Sequence, residues 1–183
     1  MAIDYLDLDN SNLEDICKNQ ISKSKAFIDY NETQSEALDL TDVGLLELIN
    51  VVEEKVNFLH KEVGLSLSYK QKINFAWANI SNSRYTRQPH THYECAFSCV
   101  YYVKGNKDAG NIELMTPVAA KCHVVYPDHI LNYNRFTSDR YWHEPIPGKL
   151  LIFPSWIPHY VHPNVDESER ISIAFNTRFV KVE

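Results

Sequence analysis

The sequence lacks the features that mark several large classes of protein. Its 183 residues include only five Gly and eight Pro, with no low-complexity run, which argues against a disordered or fibrous chain. No stretch approaches the roughly 20 apolar residues of a membrane span. The N-terminus, Met1-Ala-Ile-Asp-Tyr-Leu-Asp-Leu-Asp9, has neither the basic start nor the apolar run of a secretion signal, so a soluble cytoplasmic protein is expected. Cysteine is sparse. Cys17, Cys95, Cys99 and Cys122 form no Cys-x-x-Cys pair and no zinc-finger spacing, and Cys95 and Cys99 read as buried thiols in an apolar run. Positive charge is also in deficit. Eighteen basic against twenty-four acidic residues leave a net charge of −6 with no dense Lys/Arg cluster, which argues against nucleic acid as the main ligand.

What is present fits one domain over residues 1–183, long enough to bury roughly 70% of its unfolded surface without disulfides. Two helical patterns come first. Asn10 or Ser11 can cap a segment running to about Phe27, with Leu13, Ile16, Cys17 and Ile21 on one side. Thr41 or Asp42 can cap a second, in which Leu45, Ile49, Val52, Val56, Leu59 and Val63 recur at steps of four and three until Gly64. That stripe needs a partner surface, and a sheet is expected to supply it. From about residue 71 to 180 the pattern becomes short strands. Lys72–Ile80 alternates, with Ile73, Phe75, Trp77 and Asn79 expected on one face; Ala96–Val103, Gly110–Met115, Lys149–Phe153 and Arg170–Phe179 follow. The polar, aromatic stretch between Pro117 and Pro147 has no clear period and reads as loops and short strands. A mainly β chain of the α+β class results, a β-sandwich or jelly roll with helices from residues 1–70 packed outside.

Of eight histidines, His60 near the end of the long helix and His123, His129 and His143 in the irregular stretch read as structural or surface groups. The run Pro89-His90-Thr91-His92-Tyr93-Glu94 differs. On an extended chain residues i and i+2 share a side, so the imidazoles of His90 and His92 can converge on one ion. Glu94 would point the same way on a continuing strand, but three such residues span roughly 13 Å, so two adjacent ones suit a single metal. A later segment, Gly148 to His159, is an apolar strand stopped by Pro154 and a turn that delivers His159, with His162 as a competing third ligand. Eleven residues on, Arg170 and Ser172 share one strand face, a clamp for a carboxylate.

These motifs resemble the Fe(II)/2-oxoglutarate-dependent oxygenases. Trp77-Ala-Asn79, His90-Thr-His92, Ser98-Cys-Val-Tyr101-Tyr102-Val, Phe153-Pro-Ser-Trp-Ile-Pro-His159 and Arg170-Ile-Ser-Ile-Ala-Phe-Asn176 are similar, more closely, to the 2-oxoglutarate/iron oxygenase family often met in marine phages and bacteria. The likeness runs in order over about residues 72–177 and implies a double-stranded β-helix, or jelly-roll barrel, as the fold. It implies Fe(II) with 2-oxoglutarate as cosubstrate, oxygen as the other partner, and a dioxygenase of hydroxylase type in the cytoplasm, a host's if phage-encoded. The prime substrate stays open, as does a homodimer. By the same likeness His90, His92 and His159 hold the metal, with His92 where the wider superfamily has an aspartate and Glu94 as an alternative carboxylate. Arg170 would pair with the far carboxylate of 2-oxoglutarate, with Ser172 and Tyr102 donating to it. Asn79 either lines the pocket or satisfies a barrel-edge backbone group, and Trp77 and Trp156 read as core or rim packing. Two other readings share the histidine pattern: a metal cupin of another reaction type, and a non-catalytic or virion-associated jelly-roll protein.

Overall fold

The computed structural model describes residues 1–23, 27–29, 32–82, 84, 86–116, 130–132 and 138–182, with backbone alone for 27–29 and 32. His123, His129, Cys122 and most of the stretch after Pro117 lie outside the described residues.

Both helical patterns form helices. The first, α1, runs Asn10–Lys23, and its leading amides are capped by Asp9, whose Oδ1 accepts from the Ser11 and Asn12 N–H groups at 3.1 and 3.2 Å. Leu13 and Cys17 are its buried residues; it ends four residues short of Phe27, which opens a strand. The second, α2, runs Val43–Glu62 with Asp42 as its cap, as expected, accepting from the Gly44 N–H at 2.9 Å. Gly64 follows at φ +76°, while Val63 is exposed rather than part of the stripe.

The described strands are all antiparallel and form two sheets. The larger has seven, in the order β1 (Ala2–Tyr5), β9 (Lys149–Pro154), β6 (Phe97–Lys104), β11 (Arg170–Lys181), β4 (Tyr69–Ser81), β3 (Glu32–Gln34) and β2 (Phe27–Asp29). The smaller has β5 (Arg87–His90), β10 (His159–Val161), β7 (Ile112–Met115) and β8 (Arg140–His143). The N-terminal part is thus not purely helical, since β1, β2 and β3 extend the large sheet. Helices α1 and α2 cover its outer face, where Leu48, Val52 and Val56 meet Ile73, Ala78, Tyr101, Ile152 and Ile173 in one apolar cluster. A second cluster, including Tyr102, Ile112, Leu114, Leu151 and Phe153, lies between the sheets. This double-sheet arrangement is the jelly-roll, double-stranded β-helix architecture.

Strand β4 departs from simple alternation for one reason. Its partner β11 pairs Asn176 with Phe75 but Thr177 with Ile73, so Asn74 is an extra, unpaired residue, a β-bulge. Ile73 therefore faces the helices together with Ala76, Ala78 and Ile80, whereas Trp77 and Asn79 face the space between the sheets. The expected common face for Ile73, Phe75, Trp77 and Asn79 is broken at that bulge. Beside it, β3 pairs with residues 79–81; farther along, the Ala78 and Ala76 carbonyls accept from the backbone N–H groups of Ser35 and Leu38 at 2.9 and 2.8 Å, and side chains satisfy other groups of the edge. The Asn57 amide of α2 bonds both the N–H and the C=O of Gln71, at 2.8 and 2.9 Å. Glu53 accepts from the Ile73 N–H at 3.0 Å, and Ser35 Oγ from the Ala78 N–H at 2.9 Å. His60 is fully inside, bonded to the Ser66 carbonyl and to Gln71, so its role is structural but at a buried rather than an exposed helix end.

Deleting Asn74 removes the parity shift and turns the helix-facing and pocket-facing sets of β4 over within one strand. Loss of a cooperative thermal transition is expected, whereas Asn74→Ala, which keeps the residue count, retains one.

Candidate active site

The space between the sheets is an open pocket. Its walls follow from strand alternation. On β11, Arg170, Ser172 and Ala174 face inward while Ile171 and Ile173 join the helix-side core. On β6, Ser98, Val100 and Tyr102 face inward while Phe97, Tyr101 and Val103 face the helices. From the small sheet, Arg87 and His90 of β5, Ile112 of β7 and His159 and Val161 of β10 join the lining.

Three histidines meet at one end. Strand β5 stops at His90, which sits opposite His159 in the β5–β10 pairing. His92 lies beyond the strand end in a bend held by its own N–H donating to the Ser155 carbonyl at 3.0 Å. Ring centroids are 4.3 Å apart for His90 and His159 and 5.2 Å for each pair involving His92. One ligand atom from each of the three lies within 4.8 Å of the others, a set that could hold a metal ion. The Nδ1 atoms of His90 and His159 face the carbonyls of Gln88 and Ile157 at 2.8 and 3.0 Å. An Nδ1–H donor there leaves the Nε2 lone pair for a metal, the usual way an outer hydrogen bond fixes a ligand tautomer.

Burial keeps the pair His92 and His159 neutral. Loss of solvation, then the charges of His90 and Arg87, pull His92 down to about 4. Loss of solvation is also the main cause that brings His159 down to about 3, partly opposed by the Ile157 carbonyl. Neutral imidazole is the ligating form, so few protons compete with a metal at neutral pH.

The alternatives left by the sequence separate on strand geometry. Glu94 is exposed, at φ +59° in the bend, and is not in the cluster. His162 lies on the opposite side of β10 from His159: its Nε2 meets the buried carboxylate of Glu113 at 2.8 Å, which also accepts from Tyr160 and Arg140. His143 is buried on β8 rather than at the surface, and burial lowers it to about 4. Cys99 is buried as expected, but Cys95 is half-exposed. Trp77 lines the pocket between Phe75 and His92, with ring centroids 5.4 and 5.7 Å away, and Trp156 is 60% exposed.

Deeper in, the Arg170 guanidinium is buried and held to the wall. Nη1 donates to the carbonyls of Ala109 and Gly110 at 2.7 and 3.0 Å, and Nη2 to Ser81 Oγ at 2.9 Å. Tyr102, Ser172 and Asn79 line the same pocket on three adjacent strands, with Ser172 in register with both others. Burial pushes the Tyr102 phenol up to about 12, opposed by Arg170, so it remains a hydrogen-bond donor. Arg87 also lines the pocket and reaches from the small sheet to Gln34 of the large one at 3.1 Å. Among the described lining residues there is no carboxylate, although the chain is acidic overall. Sequence reading gave no role to Arg87, Ser98, Ser155 or Asn176.

Comparison with known proteins fits this geometry. Residues 75–176, more than half of the chain, match the family model described as Putative 2OG-Fe(II) oxygenase. The chain belongs to that family. It is therefore an oxidoreductase that uses Fe(II), 2-oxoglutarate and oxygen, and the three histidines fit the iron. Solved structures share the fold. A prolyl-4-hydroxylase from Pseudomonas putida is 15% identical, with 97% of this chain and 91% of that one covered and a TM-score of 0.64. A prolyl hydroxylase from Trichoplax adhaerens, in complex with a hypoxia inducible factor peptide fragment, is 16% identical, with 97% and 82% covered and a TM-score of 0.63. The epimerase SnoN of nogalamycin biosynthesis, in complex with Fe3+, alpha ketoglutarate and nogalamycin RO, is 10% identical, with 96% and 78% covered and a TM-score of 0.66. No curated protein sequence matches the chain. No described helix is long and apolar enough to cross a membrane.

Two outcomes are expected from this geometry. Above pH 6.5 His92, His143 and His159 are neutral both folded and unfolded. Between 6.5 and about 4 the unfolded chain takes up protons that the folded metal-free chain refuses, so stability falls as pH falls through that window. Urea denaturation of metal-free protein at pH 7, 6 and 5 checks this; equal stability at all three contradicts it. Separately, Gly110 holds φ +87°, and a Cβ there would lie 2.3 Å from the His162 carbonyl and 2.7 Å from Arg170 Nη1. Gly110→Ala should cost about 1–3 kcal/mol in the same assay, from the backbone conformation alone.

Proposed function

We propose that His90, His92 and His159 are the iron ligands, and that Arg170, Tyr102, Ser172 and Asn79 seat 2-oxoglutarate, in a dioxygenase of hydroxylase type. The observation that carries this reading is the placement of a three-imidazole cluster and a buried, wall-anchored guanidinium in one pocket. A dicarboxylate suits that arrangement. One end would approach the metal, and the other would accept from Arg170, with the Tyr102 and Ser172 hydroxyls in adjoining register positions.

Bound iron supplies the redox chemistry, in which oxygen converts 2-oxoglutarate to succinate and carbon dioxide and inserts one oxygen atom into a C–H bond of the prime substrate. The chain's own part is positioning and exclusion of water. Imidazole ligands bring no negative charge, so the metal keeps both of its positive charges, one more than a site of two histidines and a carboxylate would leave. Arg87 and Arg170 add to that field, and no described lining residue opposes it. The pocket therefore favours anionic ligands, of which 2-oxoglutarate is one. Trp77, its ring tilted against those of Phe75 and His92, forms the apolar wall on which a prime substrate would rest.

The test is 2-oxoglutarate binding to the anaerobic, iron-loaded protein, followed by its metal-to-ligand absorption band. Truncating one partner of a buried charged pair costs about 2–5 kcal/mol, so Arg170→Ala should weaken 2-oxoglutarate by about 30-fold or more. Iron affinity should hardly change. Arg170→Lys recovers only part of the loss, because an ammonium cannot form two parallel bonds. Equal binding by wild type and Arg170→Ala would place the carboxylate anchor elsewhere.

A further inference from the structure

A histidine in place of an aspartate ligand makes a demand that the aspartate would not. To bind a metal through Nε2, a neutral imidazole carries its proton on Nδ1, and that N–H must find an acceptor when buried. For His90 and His159 the acceptors are backbone carbonyls. His92 has no such carbonyl; its Nδ1 faces the side chain of Asn176 at 3.3 Å.

Asn176 is 7% exposed, on the same inward-facing set of β11 positions as Arg170 and Ser172. Its carboxamide spans between two partners, His92 Nδ1 on one side and Ser98 Oγ at 2.9 Å on the other. Ser98 Oγ in turn donates to Ser155 Oγ at 3.0 Å, and the Ser155 carbonyl accepts the His92 backbone N–H at 3.0 Å. Ser98 and Ser155 are both buried. The contacts close a circuit, His92–Asn176–Ser98–Ser155–His92, that grips the residue by ring and by backbone. The placed amide turns its nitrogen toward the ring, but the two ends of a carboxamide are isosteric and are assigned by their partners. With the ends exchanged, Oδ1 accepts from His92 Nδ1–H, Nδ2 donates to Ser98 Oγ, and the Ser98 hydroxyl still donates to Ser155. Each contact of the circuit then sets a donor against an acceptor, and the His92 Nε2 lone pair is left for the cluster.

We infer that Asn176 is a positioning residue that presents its amide oxygen to His92 and thereby fixes the tautomer with which His92 serves as the third metal ligand. The inference rests on the three-histidine reading of the metal site and deepens it. It also gives a physical reason why position 92 can carry either residue: an aspartate there would need a donor, and the same amide supplies one by turning its nitrogen inward. An amide at 176 can thus serve either residue at 92, whereas a carboxylate could serve only the histidine and Leu neither.

Two measurements test it. Imidazole nitrogen–proton correlation spectra of the metal-free protein should show His92 protonated on Nδ1 and bare on Nε2. Protonation on Nε2 overturns the inference, with or without metal binding. Co(II) affinity, measured by chelator competition, supplies the second. Asn176→Leu should weaken Co(II) by about 10- to 100-fold, the usual effect of losing an outer hydrogen bond to a ligand. Asn176→Asp should match or exceed wild type, because a carboxylate accepts from the same N–H. In a His92→Ala background, Asn176→Leu should change affinity by no more than about twofold, as for independent sites. An undiminished loss there would mean that Asn176 acts only through the fold. In a His92→Asp background the preference reverses: Asn176 supports binding, whereas Asn176→Asp weakens it by setting two carboxylates against each other. If wild type binds no Co(II), the three-histidine reading fails, and the tautomer spectrum alone decides the role of Asn176.

Discussion

The pairing of β11 with β4 is the constraint on which the site depends. Period-two alternation along β11 sends Arg170, Ser172, Ala174 and Asn176 to the pocket and Ile171, Ile173 and Phe175 to the helices. One central strand thus supplies the guanidinium at one end of the pocket and the amide beside His92 at the other. The β-bulge at Asn74 sets β4 in the complementary phase, so that Trp77 and Asn79 face the same space while Ile73 and Ala76 stay with the core. Helix α2 then covers the edge that the bulge leaves irregular, with Asn57 and Glu53 standing in for a missing strand. A one-residue slip anywhere in this ladder would move the chemistry to the wrong face.

Electrostatics gives the pocket its character. An acidic protein has assembled a described lining without carboxylates, containing three imidazoles and two guanidiniums. Burial holds His92 and His159 in their neutral form, and contacts at their outer ring nitrogens, with Asn176 and with the Ile157 carbonyl, hold the two rings in place. Such a site is costly to maintain empty, because buried polar groups weaken a fold unless they are satisfied. The anchors of Arg170 to two carbonyls and Ser81, and the bend at His92 tied to Ser155, are how the fold meets that demand.

Much of this was legible in the sequence. His90, His92 and His159 could be singled out because short extended segments present residues i and i+2 together, and because a strand that ends in Pro154 delivers the next side chain at a fixed place. The helices were legible from their caps and apolar steps. Other parts were hidden for a physical reason: they depend on partners distant in the chain. The bulge at Asn74 exists only relative to the register of β11, about a hundred residues later. Strand β1 has no strong local pattern and forms because β9 offers it an edge. His162 and Glu94 could be separated from the histidine cluster only once the parity of β10 and the left-handed turn at Glu94 were in place. Asn176 and Ser98 stood inside recognised motifs, yet their task follows from a third element, Ser155.

The central claim is that these histidines form an iron site that works on 2-oxoglutarate. Its most direct test is oxygen-dependent turnover of 2-oxoglutarate by the iron-loaded chain, read as succinate and carbon dioxide released in equal amounts. Succinate should appear with wild type, require both iron and oxygen, and disappear in His159→Ala. A wild-type chain that binds one iron at the cluster and binds 2-oxoglutarate, yet releases no succinate across a broad panel of candidate substrates, would contradict the account and leave a jelly-roll binding protein in its place.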